Sequence, residues 1–396
     1  MKLPNQSHLT YCLNIHKGEN WEENLSAITS YAKEVKQRVS PSGPFGLGLR
    51  LSNLAAGQLS ESKTLDAFKT VLSQNNMYVF TINGFPYGTF HGTPVKENVY
   101  QPDWRTEERR DYTIQLANIL AALIPPDTIG TISTVPCSYK TWIKRKNDVQ
   151  CMVEKLMDCV SHLVGLYEEK GKTINIGLEP EPDCFLETTD EVIDFFEQQL
   201  FDYGVNYLAE KLACNTAEAA NAITRHLGVC FDTCHIALQF EDITDSLKRL
   251  QNHNITISKI QVSAALKTII SDNTVTALKP FCDPVYFHQV KIKDAGGILA
   301  SYTDLPISLN QISSGDYGKK LRAHFHVPLY YSGGVEIKST SAELTSDFFK
   351  QAISCGANHF EIETYTFDVL PENLRVIGVV ESVVKEYEWV MDKIAP

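Results

Sequence analysis

Apolar residues recur along this chain with two different periods. Nine short runs carry them at alternate positions or nearly unbroken: "LTYCLNIH", "FGLGLRLS", "MYVFTING", "IGTISTV", "INIGLEP", "LGVCFDTCH", "SKIQVSA", "RAHFHVPL" and "HFEIETYT". Runs of this length bounded by turn residues read as strands. Between them the spacing changes to steps of three and four. Trp21, Leu25, Ile28, Ala32, Val35 and Val39 line one face of a predicted helix, and Asn20 with Glu23 predicts its capping box. Val149, Met152, Val153, Leu156, Val160, Leu163, Val164 and Tyr167 mark a second helix, stopped by Gly171. A third places Leu344, Phe348, Phe349 and Ile353 inward, with Ser341 as its cap and Gly356 beyond its end.

Strands alternating with helices predict βαβ units and a mainly parallel sheet. A (β/α)8 TIM barrel needs eight strands. One of the nine candidates therefore belongs to an insertion, expected at about 264–321, between the seventh and last barrel strands. Residues 1–396 read as a single elaborated domain, with no low-complexity linker. The doubly wound dinucleotide fold is the main rival. It needs GxGxxG after the first strand, and "NIHKGENW" offers one glycine there.

Strand parity then sorts the polar residues. In "TINIGLEPE", Ile174, Ile176 and Leu178 share one face, and Asn175, Gly177 and Glu179 share the other. In a barrel the apolar face meets the helices, so Glu179 points inward at the C-terminal end of its strand. That end carries the active site in this fold. Pro180 keeps Glu179 extended. Past it the parity no longer holds, and Glu181 is assigned either to the substrate or to the rim. The same test turns Asp232, Gln261, His324, His326, Glu361 and Glu363 inward, and near the N-terminus Asn14, His16, Arg50 and Asn83.

Any one of these has a plainer explanation, such as an ion pair between an inward glutamate and Arg50. Their convergence does not. Several carboxylates in a low-dielectric interior repel one another, and a divalent cation removes that cost. Carboxylate, imidazole and amide ligands together suit Mn²⁺, Mg²⁺, Co²⁺ or Zn²⁺. HExxH and GxSxG are absent, and no lysine stands out as a Schiff-base former.

Composition trims the alternatives. The net charge of −12 argues against nucleic acid as a partner. Ten cysteines are scattered without a CxxC, which suits reduced thiols in a cytoplasmic protein. The N-terminal stretch "MKLPNQSHLTYCLNIH" lacks the apolar core of a secretory signal, and no integral membrane segment is expected.

At these residues the chain resembles the xylose isomerase-like TIM-barrel superfamily of sugar isomerases, ketose 3-epimerases and endonuclease IV. Glu179, then "DTCH" with Asp232 and His235, then Glu363 match in order the metal-site residues of the single-metal epimerases. The resemblance implies metal ligation by Glu179, Asp232 and Glu363, completed by Gln261 or His326. It implies that Glu179 and Glu363 are the catalytic pair, and that His235 contacts the substrate or a second metal. The motifs "NGFPYGTFHG", "VKENVYQPDW", "HFHVPL" and "EIETYTFDVLP" further resemble the EboE family, associated with metabolite traffic in bacterial gene clusters. A metal-dependent isomerase or epimerase of a small polar metabolite is expected, working beside partner proteins of one pathway. A non-catalytic metabolite-binding protein and an endonuclease IV-like nuclease are the alternatives. His16, Arg50, Asn83, Phe85, His91, Trp104, Glu181, His235 and His324 are the expected substrate contacts.

Overall fold

The computed structural model describes residues 1–92 and 94–394. Seven strands precede the insertion: β1 (His8–Tyr11), β2 (Phe45–Arg50), β3 (Met77–Asn83), β4 (Gly130–Thr134), β5 (Ile174–Leu178), β6 (Leu227–Asp232) and β7 (Ile257–Val262). Five more, β8 (Leu266–Ile269), β9 (Val290–Asp294), β10 (Gly297–Tyr302), β11 (Lys320–Ala323) and β12 (Lys338–Ser339), form a separate antiparallel sheet. The chain then returns through the helix Ser346–Ser354 to β13 (His359–Ile362), which pairs in parallel with both β7 and β1. Strands β1 to β7 and β13 make one eight-stranded parallel sheet, and a bridge between Cys12 and Gly48 draws β1 towards β2. This is the expected (β/α)8 barrel with an insertion before its last strand.

The expected local signals explain the elements. Ile174, Ile176 and Leu178 are wholly buried against the surrounding helices. Asn20 accepts from the Glu23 amide at 2.9 Å while the Glu23 carboxylate accepts from the Asn20 amide at 3.3 Å, closing the capping box. Gly171 ends the helix Lys146–Lys170 at φ +63°. Ser341 does not cap the third predicted helix. Thr345 does, accepting from the Phe348 amide at 3.3 Å, and Ser341 lies in a short turn before it.

The insertion is larger than expected. Its strands run from Leu266 to Ser339, well past residue 321, and "RAHFHVPL", the extra strand of the nine, contributes to β11 within it. These strands are two to six residues long, so that even a clean alternation such as "VKIKD" spans few positions, and β10 is largely exposed. Pattern reading therefore had little to detect. The insertion has a positioning role. Beyond β11, His324 donates its amide to the Gln289 carbonyl at 2.8 Å and Val327 to the Ala264 carbonyl at 3.0 Å, which lays "HFHV" across the barrel mouth.

Inside the barrel, Glu361 of β13 pairs with Lys259 of β7, and both side chains are fully buried. The carboxylate occupies the space that a side chain at Gly48 would need. Among the described residues, all ten cysteines are free, and no helix is long and apolar enough to cross a membrane.

Glu386, on the C-terminal helix Val379–Ile394, ties three segments together. Its Oε1 accepts from the Leu329 amide at 3.0 Å and from Thr364 Oγ1 at 2.7 Å, while its Oε2 is buried without a partner. Burial pushes its carboxyl from 4.5 up to about 7. A carboxyl that is raised in the folded state binds its proton more tightly there than in the unfolded chain. Its contribution to stability therefore falls as pH rises between those two values, by up to about 3 kcal/mol. Glu386→Gln keeps the acceptor and removes the titration. In paired thermal melts the variant is expected to gain on the parent protein between pH 5 and pH 8. An unchanged difference across that range contradicts this reading of Glu386.

Candidate functional site

The barrel strands deliver their polar ends to one small volume. Glu179 follows β5, Asp232 ends β6, Gln261 lies near the end of β7, and Glu363 follows β13. All four are buried. Ligand-capable oxygens of Glu179, Asp232 and Glu363 lie within 4.8 Å of one another. Glu363 Oε1 accepts from three side-chain amides, Asn14 at 2.8 Å, Asn83 at 3.0 Å and Gln261 at 3.2 Å. Asp232 Oδ1 accepts from Ser263 Oγ at 2.7 Å and from the His235 amide at 3.0 Å. Buried oxygens remain without partners: Glu179 Oε2, Glu181 Oε2, Asp232 Oδ2 and Gln261 Oε1. Orphaned buried acceptors are costly, and a group of them marks a place where a donor or cation belongs.

Three imidazoles stand against this carboxylate group. His235 Nε2 lies 3.1 Å from His324 Nε2, which lies 3.3 Å from His326 Nε2. Their other nitrogens face oxygens: Pro180 O at 3.0 Å from His235 Nδ1, Gln289 Oε1 at 2.7 Å from His324 Nδ1, and Glu363 O at 3.0 Å from His326 Nδ1. The Gln289 orientation is set by its Nε2, which donates to Pro182 O at 3.2 Å and to Tyr100 Oη at 3.3 Å. Every Nδ1 thus donates, so every Nε2 carries a lone pair, and the lone pairs confront one another. Nitrogens held about 2.0–2.1 Å from a tetrahedral zinc are themselves about 3.3 Å apart. The tautomer and the spacing both fit a cation, and the acceptor behind each Nδ1 is the usual support of a ligating histidine.

Electrostatics tell the same story. Burial first, then the neighbouring Asp232 charge, raises the Glu179 carboxyl well above its ordinary value. Burial followed by the Glu179 charge does the same to Glu363. Burial raises Glu181 to about 8, against the hydrogen bond from Tyr100. Burial also opposes ionisation of Asp232, but His235 and His326 hold it below its ordinary value. The imidazoles move down: His326 to about 4 through burial, and His324 well below 6.5 through burial and then the neighbouring His235 and His326. Glu179, Glu181 and Glu363, which resist ionisation, beside imidazoles that resist protonation describe a cluster short of positive charge.

A small pocket of about 50 Å³ opens onto this floor. Asn14, Asn83, Phe85, Glu179, Glu181, His235, His324 and Glu363 reach its wall. Four residues expected at the substrate do not. Trp104 is fully buried, its ring part of the core. Arg50 is consumed by backbone carbonyls, Gly18 O at 2.8 Å and Gly88 O at 2.5 Å. His16 bonds Tyr11 Oη at 2.9 Å and stacks on Tyr31. His91 spans Asn14 O and Tyr286 Oη, each at 2.7 Å, and so braces the wall from behind. Strand parity alone tells which face a residue takes. It does not tell whether backbone acceptors claim the side chain first.

Several supporting residues escape a sequence reading. Gln289 and Tyr286 come from the insertion, and Tyr100 from the long loop after β3. Tyr365 had a usable signal, since it lies two positions beyond Glu363. Its ring packs 4.7 Å from that of His326. Nitrogen-15 correlation spectra of the metal-free protein are expected to show Nδ1–H tautomers at His235, His324 and His326. An Nε2–H tautomer at His324 as the major form contradicts the lone-pair cluster.

No protein-family model matches the chain, and no curated protein matches it. Solved structures resemble it at low identity. The probable 3-DHS dehydratase AsbF from Bacillus anthracis is 13% identical, with 96% of this chain and 98% of that one covered and a TM-score of 0.45. The zinc-bound IolI protein is 10% identical, with 98% of each chain covered and a TM-score of 0.47. A D-tagatose 3-epimerase-like protein is 12% identical over 98% of this chain and 97% of its own, also with a TM-score of 0.47. By name these neighbours are a probable dehydratase, a zinc-bound protein and an epimerase-like protein, and their likeness assigns this chain to no family.

Proposed function

We propose that the barrel mouth is a divalent metal centre serving proton transfer next to a carbonyl, in an isomerase or epimerase of a small metabolite. The observation that carries the proposal is the set of buried, unpartnered acceptors facing one volume. Glu179, Asp232 and Glu363 would hold one cation, with the free Gln261 Oε1 beside them. Asp232, His235 and His326 would hold a second, so that Asp232 belongs to both groups, and His324 Nε2 lies 3.1 Å and 3.3 Å from the other two imidazoles. Bound there, a divalent cation supplies a Lewis acid that polarises a carbonyl.

The chain's own residues divide the remaining work. Glu363 is pinned by the amides of Asn14, Asn83 and Gln261, so its position is set before substrate arrives. The Glu179 carboxylate makes no hydrogen bond among the described residues, and its raised proton affinity suits a group that gains and loses a proton. One carboxylate takes the proton from the carbon beside the carbonyl, and the electron pair moves onto the carbonyl oxygen. The other returns a proton, to the same carbon in epimerisation or to its neighbour in isomerisation. Burial of both groups keeps bulk water from exchanging the proton early.

A nuclease reading has weaker support. Lys96 is the one cation on the pocket wall among the described residues, and it is tied to Asp304 at 2.6 Å. We extend the proposal to a role in metabolite traffic, alongside partner proteins of one pathway, on the strength of the EboE-like motifs alone. In deuterated buffer with Mn²⁺, the protein is expected to exchange the α-proton of short α-hydroxyketones, followed by proton NMR. Glu179→Gln and Glu363→Gln are each expected to slow exchange by about 10²–10⁴-fold. Binding of these ketones with no exchange above the Mn²⁺ blank replaces catalysis by the non-catalytic binding reading.

A further inference from the structure

The floor of the pocket is polar, but its walls are not. Phe85, Phe90, Val95, Val99, Tyr286 and Tyr365 surround the space above the carboxylates and imidazoles. Three of these rings form a closed triangle. Phe90 and Tyr286 have centroids 5.2 Å apart, Phe90 and Tyr365 5.3 Å, and Tyr286 and Tyr365 5.2 Å. Such edge and tilted contacts make a rigid aromatic surface. Phe90, Val95 and Tyr286 are a small apolar cluster of their own, separate from the barrel core. Tyr365 joins this cluster to the floor through its contact with His326.

Apart from Asn14 Oδ1 and the floor carboxylates, the polar groups of the wall are already engaged. Tyr286 Oη bonds His91 Nδ1 at 2.7 Å, and Tyr100 Oη donates to Glu181 Oε1 at 2.9 Å. Lys96 donates to Asp304 at 2.6 Å and to the Tyr286 carbonyl at 2.8 Å. Arg109 lies behind the wall and is spent on the Gly84 carbonyl at 2.8 Å and the Phe85 carbonyl at 3.1 Å. A free sugar carries hydroxyls along its whole length and needs polar partners along the whole pocket. A phosphorylated or carboxylated substrate needs a cation to receive its charge. Among the described residues the aromatic wall offers no such row of polar partners, and the pocket's one cation, Lys96, is paired with Asp304.

We infer that the substrate is uncharged and two-sided: an α-hydroxycarbonyl head that meets the floor, and an aromatic portion that the Phe90–Tyr286–Tyr365 triangle receives. The inference rests on the metal-centre reading for the head. It rests on the wall alone for the aromatic portion. Burying a ring between aromatic side chains adds affinity in proportion to the apolar area removed from water, whereas a hydroxymethyl group there loses its solvation without replacement.

Calorimetric titration of the full-length, Mn²⁺-loaded protein tests it with three probes: 2-hydroxyacetophenone, dihydroxyacetone and dihydroxyacetone phosphate. The phenyl probe is expected to bind about tenfold or more tightly than dihydroxyacetone. The phosphate is expected to bring no gain. Phe90→Ala is expected to weaken the phenyl probe at least about fivefold and to leave dihydroxyacetone unchanged. Val99→Asn, which adds polarity with little change in volume, serves the same purpose where Phe90→Ala fails to fold. Equal or tighter binding of either small polyol probe overturns the inference, as does an unchanged phenyl affinity in the folded wall variant. Repeating the titration without metal separates the two readings. A phenyl preference that survives while α-proton exchange is absent upholds the aromatic wall and removes the catalytic reading. Exchange of dihydroxyacetone and the phenyl probe with equal efficiency upholds catalysis and removes the wall's role.

Discussion

Three carboxylates and three imidazoles crowd the buried floor of one pocket, and that crowding governs everything around it. Charged acids cannot lie side by side in a low-dielectric interior without compensation. The protein's own cations do not supply it. Lys259 is the nearest candidate in the barrel, and it is bound to Glu361. Arg50 and Arg109 are bound to backbone carbonyls. What remains is an arrangement of lone pairs and orphaned oxygens whose repulsion a proton or a bound cation would relieve. The amides on Glu363 and the acceptors behind each histidine hold these groups in position for it.

The insertion gives the barrel its distinctive half of this centre. A bare eight-stranded barrel contributes Glu179, Asp232, Gln261 and Glu363 from its own strand ends. His324 and His326 arrive on chain that follows β11, and Gln289 on the segment leading into β9. The same insertion supplies Tyr286, one corner of the aromatic wall. One added sheet therefore brings both imidazoles and apolar surface to the mouth, without altering the parallel barrel beneath. Glu386 ties the insertion back to the C-terminal helix and to the loop after β13, so the added element is fastened on the side of the last barrel strand.

Much of this was legible in the chain. The barrel strands are regular because one face of each must be apolar, and that rule alone turned Glu179, Asp232, Gln261 and Glu363 inward. His324 and His326 were also read as inward, although the strand they follow is not in the barrel. Their convergence on His235 depends on the inserted sheet, whose five short strands carry too few apolar alternations to be read. Arg50 and Trp104 show the opposite limit. Both had the right chemistry for a substrate contact, and both are claimed by the interior. Their neighbours in space, carbonyls in the one case and core side chains in the other, leave no trace in local sequence.

The dependence of the site on a cation can be observed directly. Crystals soaked in Mn²⁺ or Zn²⁺ and measured at the metal's absorption edge are expected to show anomalous peaks in the barrel mouth. One should lie among Glu179, Asp232 and Glu363, and a second among Asp232, His235 and His326, beside His324. Peaks elsewhere on the protein with none among these six side chains would contradict the metal centre.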